Sequence, residues 1–245
     1  MMRKFLYLGF ILSAALFISS CATVPVETLP PPLPPPLART ATIHTVAPGE
    51  TLWRISKMYD VPVAAIVQVN NLKDSGDIKM GQRLEVPSAA PIRPVITLYP
   101  SRKWRYIIIH HSATDEGSSL SIHKSHLNRG WERGVGYHFV IDNGSSSKKD
   151  GQIETSPRWL KQEDGSHCRA SGMNSKAIGI CLVGNFDHEN VTQKQMESLI
   201  YLVNTLKKYY RISPRNILRH GEVLGARTAC PGRRFPWKEV KSKLR

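Results

Sequence analysis

Three separated residues constrain this chain most, because each sits in a short motif that turns it toward a common point. His110 closes the apolar run Tyr106-Ile107-Ile108-Ile109, His220 lies in Arg219-His220-Gly221-Glu222, and Cys230 opens Cys230-Pro231-Gly232. Two imidazoles and one thiolate suit a tetrahedral zinc ion whose fourth position stays free for water, the catalytic rather than the structural pattern. Such a ligand set leaves Zn2+ with one net positive charge, which lowers the pKa of bound water from about 15.7 toward about 7 and polarises a carbonyl. The predicted chemistry is hydrolysis.

The scaffold around these residues reads as α/β with a mixed central sheet flanked by helices. Tyr106 to His111, Gly136 to Asp142 and Ala177 to Val183 are apolar or β-branched runs of strand length. Ser119 to Arg129 carries Leu120, His123 and Leu127 at helical spacing. Thr192 to Tyr210 is the clearest helix: Thr192 and Gln195 form a capping box, and Met196, Leu199, Ile200, Val203, Leu206 and Tyr210 form its apolar stripe. Asn143 to Gly151, polar and Ser-rich, is expected to be a long mobile hairpin turn.

Ahead of that domain the chain changes character three times. Arg3-Lys4 followed by an apolar stretch from Phe5 to Ile18 reads as an export signal, too short for a secure span. Ile18-Ser19-Ser20-Cys21 resembles the lipobox of bacterial lipoproteins. That implies removal of residues 1–20, acylation of Cys21, and a lipid-anchored protein of the outer membrane facing the periplasm, since Ala22 rather than Asp follows. Residues 21–42 contain Pro-Pro-Pro-Leu-Pro-Pro-Pro, an extended tether that cannot build a core.

The formal charge of +15 is uneven: residues 43–88 hold five basic and five acidic side chains, residues 89–245 hold twenty-six and thirteen. Export takes nucleic acid out of reach, so the basic half points to an anionic wall polymer or a carboxylate-bearing peptide. Of the four cysteines, Cys168 and Cys181 have no predicted ligand role; an oxidising periplasm would let them pair as a disulfide, while the place of Cys181 in an apolar strand-like run favours a buried thiol.

Residues 43–88 read strand, helix, helix, strand. His-Thr-Val-Ala-Pro-Gly-Glu-Thr-Leu-Trp-Arg-Ile-Ser from His44, Val-Asn-Asn-Leu from Val69, and Ile-Lys-Met-Gly-Gln-Arg-Leu-Glu-Val-Pro from Ile78 resemble a LysM module. The resemblance implies binding of N-acetylglucosamine-containing glycan strands between Gly49, Glu50, Thr51 and Leu52 on one loop and Asn71 onward on the other. Trp53 is expected in the core rather than stacked on a sugar. Residues 89–103 read as a linker, and the larger domain as 104–245.

That larger domain resembles the zinc-dependent amidases that include amidase-type phage lysozymes, bacterial muramoyl-amide hydrolases and peptidoglycan recognition proteins. The wording that carries the resemblance is Ile109-His110-His111-Ser112-Ala113-Thr114, Val135-Gly136-Tyr137-His138-Phe139, Gly165-Ser166-His167, Asn174-Ser175, Ile178 to Gly184, Arg219-His220 and Ala229-Cys230-Pro231-Gly232. It implies cleavage of the amide between N-acetylmuramic acid and the L-alanine that starts each peptidoglycan stem peptide. His110, His220 and Cys230 become the metal ligands, with His110 preferred to His111 as the first of the pair. The two cannot both face one metal, since strand neighbours point to opposite faces. Tyr137 becomes the second catalytic group, and His167 and Asn174 fall to substrate binding, the imidazole bonding a substrate carboxylate.

Two departures are visible. Thr228, preceded by Arg227, stands where many relatives carry Lys, and Cys181 stands where some carry a catalytic Glu. Oxyanion stabilisation therefore falls to Thr228, Arg227 or Tyr137. The rival function is a non-catalytic peptidoglycan receptor, which relatives become when they lose the metal Cys; here Cys230 is present.

Overall fold

The computed structural model describes residues 38–244, so the expected signal, Cys21 and the proline tether lie outside the described residues. The first lobe pairs β1 (Thr40–Thr45) antiparallel with β2 (Arg83–Ala89), and α1 (Leu52–Tyr59) and α2 (Val63–Val69) cover the ribbon. The Thr51 hydroxyl accepts from the Arg54 N–H and caps α1. Leu52, Ile55 and Tyr59 follow the helical period into a core with Val46, Ile66, Leu84 and Val86. Trp53 falls one residue off that stripe and is 56% exposed, which corrects its expected place in the core.

The second lobe is a five-stranded mixed sheet in the order β5-β4-β6-β3-β7. Its strands are β3 (Tyr106–His111), β4 (Phe139–Asn143), β5 (Asp150–Thr155), β6 (Ala177–Leu182) and β7 (Ile217–Arg219). Only β4 and β5 run antiparallel; β4, β6, β3 and β7 are parallel to one another. The near-continuous apolar character of β3 and β6 follows, because a parallel sheet is covered on both faces. On one face lies α5 (Gln193–Tyr210), whose Met196, Leu199, Leu202, Val203 and Leu206 pack with Ile107, Ile109, Phe139 and Ile180. Its capping box is formed, as the Thr192 and Gln195 pairing requires. The other face carries α3 (Ser119–Asn128), with Ile122 against Val135, Val140, Cys181 and Val183. Two short helices, α4 (Pro157–Leu160) and α6 (Trp237–Ser242), close the lobe.

Three expectations change. β4 begins at Phe139 rather than Gly136, because Gly136 is pinned to the neighbouring loop by the Ser166 N–H donating to its carbonyl. The segment 143–151 is not a free turn: Asp150 already starts β5, and the Lys148 side chain is 2% exposed. The stretch 89–103 is a strap: Ile92 and Val95 pack on the first core, and Ile96, Leu98 and Tyr99 on the second.

Candidate metal centre

Strand register builds the site. In the parallel pairing of β3 with β7, Ile107 lies opposite Ile217, Ile108 opposite Leu218 and Ile109 opposite Arg219. One more step places His110 beside His220, and their ring centroids are 4.6 Å apart. Cys230 returns to the same point because the Gly221 N–H donates to its carbonyl, while its own N–H donates to the Thr228 hydroxyl. The site thus stands at the carboxyl ends of parallel strands, where open α/β sheets place their ligands.

One ligand atom from each of His110, His220 and Cys230 lies within 4.8 Å of the others. Cys230 Sγ is 3.7 Å from His110 Nδ1, against about 3.5 Å for two ligands of a tetrahedral zinc with ordinary Zn–N and Zn–S lengths. The donor set fits the ion chemically as well. Burial, reinforced by His167 and His220, holds the His110 pKa well below its ordinary value, and burial also lowers that of His220. Both imidazoles are therefore neutral, the form that coordinates a metal. Burial pushes the Cys230 thiol up to about 12, and coordination to a dication is what turns such a thiol into a thiolate.

The other histidines are turned to different work. The ring of His111 accepts the Phe186 N–H at Nδ1 and stacks on Phe186, on the α5 face of the sheet, while its backbone N–H points at Cys230 Sγ. His138 is buried, accepting from the Gly179 N–H and lying 3.1 Å from the Glu163 carbonyl. His167 borders the cleft as expected, but it is buried and its two ring nitrogens face His110 and the Ala177 carbonyl rather than open space. Asn174 borders the cleft, but its side-chain carbonyl accepts the N–H groups of His167 and Cys168 and shapes that loop.

Tyr137 stands over the cluster, its ring 5.1 Å from that of His110. Burial, then the neighbouring Cys181 and Cys230, raise its pKa well above the ordinary phenol value. The hydroxyl therefore stays protonated and can donate to a developing oxyanion. Thr228 and Arg227 are exposed at the rim, the Thr228 hydroxyl already holding the Cys230 backbone. Cys168 and Cys181 are both free and buried.

A cleft of about 680 Å³ opens beside His220, with Trp131, Arg133, Arg158 and Arg169 on its walls. A smaller depression of about 210 Å³ adjoins Tyr137, with Ser112 and Arg129. The sequence reading missed these arginines; the basic excess of the second half was their only signal. In the first lobe the expected glycan loop is partly turned inward. The Leu52 side chain is fully buried, and Glu50 is buried on His44 and the Ala47 N–H, which corrects their assignment as direct glycan contacts. Gly49 faces α4, where a side chain would meet Pro157 at 3.2 Å. Thr51 and Asn71 are exposed.

Residues 100–233 match the family described as N-acetylmuramoyl-L-alanine amidase, and residues 44–87 match the LysM domain. The chain belongs to the N-acetylmuramoyl-L-alanine amidase family. Within it, the endolysin of Enterobacteria phage T3 is 38% identical over 134 residues, 51% of this chain and 78% of that protein. Peptidoglycan-recognition protein 2 of Holotrichia diomphalia is 33% identical over 108 residues, 41% of this chain and 52% of that protein. Among solved structures, N-acetylmuramoyl-L-alanine amidase LysC from Clostridium intestinale is 36% identical with a TM-score of 0.49, covering 62% of this chain and 94% of that one.

Proposed function

We propose that this chain is a zinc-dependent N-acetylmuramoyl-L-alanine amidase that frees stem peptides from peptidoglycan or its muropeptides. The observation that carries the reading is the convergence of His110, His220 and Cys230 beside an arginine-bearing cleft. A bound zinc ion would supply Lewis acidity, activating water and polarising the scissile carbonyl. The chain's own residues do the rest. The cleft arginines suit the carboxylates of a stem peptide, and the Tyr137 hydroxyl donates toward the amide oxygen as it gains charge, a contribution of about 10² to 10³ in rate.

The LysM lobe binds glycan strands through what remains accessible, Thr51 and the segment from Asn71 onward. Anchoring of the protein in the outer membrane by acylated Cys21 belongs to the same proposal and rests on the Ile18-Ser19-Ser20-Cys21 wording. Replacing Cys21 by Ala should then release the protein from detergent-extractable membranes. The activity is tested by mass spectrometry of digested peptidoglycan. Free stem peptides beginning with L-alanine, alongside peptide-free glycans, are the expected products. Shortened stems still attached to glycan would mean a peptidase, and binding without any product would favour the receptor.

A further inference from the structure

His167 borders the cleft, but both of its ring nitrogens are engaged inside the protein. Its Nδ1 lies 3.1 Å from Nε2 of His110, and its Nε2 lies 3.2 Å from the carbonyl oxygen of Ala177 in β6. The ring is wedged between two glycines: a Cβ at Gly165 or at Gly179 would stand 2.3 or 2.4 Å from it. Its backbone N–H is tied to Asn174 Oδ1 at 2.9 Å. Placement is therefore fixed from three sides.

Hydrogen-bond logic then assigns each proton along the chain. The Ala177 carbonyl can only accept, so Nε2 of His167 carries the hydrogen. The buried ring has no carboxylate beside it among the described residues, so it carries a single proton and its Nδ1 is bare. A bare Nδ1 can only accept, so Nε2 of His110 must donate. His110 has one proton to place, and with it on Nε2 the lone pair of Nδ1 points at the cluster, 3.7 Å from Cys230 Sγ.

We infer that His167 is a positioning residue for the metal centre, fixing His110 as the Nε2–H tautomer so that Nδ1 is the atom offered to the ion. Outer partners of this kind set ring orientation and raise ligand basicity, and losing one costs about 10- to 100-fold in metal affinity. The inference rests on the zinc reading of the previous subsection, and its test separates the two.

The experiment uses the full chain carrying His167→Phe, which fills the ring's place without an acceptor, and His167→Asn, which keeps an acceptor near the Nδ1 position. Zinc affinity is measured by competition with a chelator, and metal-free stability by thermal melting. The expected result is wild-type-like affinity within a few-fold for Asn, and about 10- to 100-fold weaker binding for Phe with little change in metal-free melting. Equal affinity in all three overturns the inference, while failure of the wild type to bind zinc overturns the metal reading instead. Nitrogen-15 NMR of the imidazoles in the metal-free wild type gives a readout independent of both variants and of their folding. A proton on Nε2 of His110 supports the assignment, and a proton on Nδ1 refutes it.

Discussion

The Lys148 ammonium donates to the carbonyl of Thr45, 2.9 Å away and 103 residues earlier in the chain. Lys148 belongs to the β4–β5 turn of the catalytic lobe and Thr45 to β1 of the LysM lobe, so the hairpin clasps the module. The same ammonium pairs with Glu154 at 2.8 Å, where the two side chains are 2% and 0% exposed. Behind it, His44 and Glu50 form a second buried pair, also 2.8 Å apart. Burial pushes the Glu50 carboxyl up, but the hydrogen bond and charge of His44, with Lys148, outweigh it and hold the pKa below its usual value. Arg54 adds bonds to the Val95 carbonyl and the Thr155 hydroxyl. These buried contacts hold the LysM lobe against the amidase lobe.

Removing one partner of a buried ion pair leaves the other charge uncompensated. Lys148→Met should lower stability by about 3 kcal/mol, seen as a shifted denaturant midpoint. An unchanged midpoint would mean that the clasp contributes nothing.

Asp142 lies in the same cluster, and neither of its buried carboxylate oxygens has a hydrogen-bond donor among the described residues. Burial first, and the adjacent Glu154 second, raise its pKa well above the ordinary value. The folded state therefore retains a proton that the unfolded chain releases at about pH 3.9. A raised folded pKa gives stability that is full below that value and is lost as pH rises toward the folded one. Asp142→Asn, which is neutral at every pH, should be more stable than the wild type at pH 7 to 8, with the gain shrinking as pH falls to about 4. Denaturant midpoints across that range test this; a pH-independent difference would contradict it.

The parts of this fold that sequence reveals are those with local causes. The Thr192 and Gln195 capping box marks the start of α5, and the apolar runs of β3 and β6 need only themselves to be recognised. By contrast, Asp-Gly-Gln-Ile-Glu-Thr of β5 looks like a loop, because Glu154 is polar and is buried through distant partners, the Lys148 ammonium and the Ser119 N–H. β7 is three residues long and exists through its pairing with β3. At the site, strand parity says that His110 and His111 face opposite ways and the resemblance picks His110, whereas the place of His167 depends on the Ala177 carbonyl and the space left by Gly179.

Metal content distinguishes the two neighbouring histidines. Cys230→Ser should lose most bound zinc and with it activity. His111→Ala should keep zinc near the wild-type level, because that ring faces Phe186 instead of the cluster. Elemental analysis of the purified proteins measures both, and equal zinc loss in the two variants would reassign the ligand.

Tyr137 gives the sharpest test of the chemistry, since one oxygen separates it from Phe. Its ring stacks at 6.4 Å on His167 and lies 5.1 Å from His110, contacts that Phe would keep. Burial and the neighbouring thiols hold its pKa well above the ordinary value, so the proposed reaction uses it as a proton donor to the oxyanion and not as the base. Tyr137→Phe should therefore leave zinc content and melting temperature near wild type while lowering kcat by about 10² to 10³. With a donor that stays protonated, the pH profile below about 9 should keep its shape in the variant and fall in height alone. A lost alkaline limb would make Tyr137 the titrating group, and unchanged turnover would pass the oxyanion role to Thr228 or Arg227.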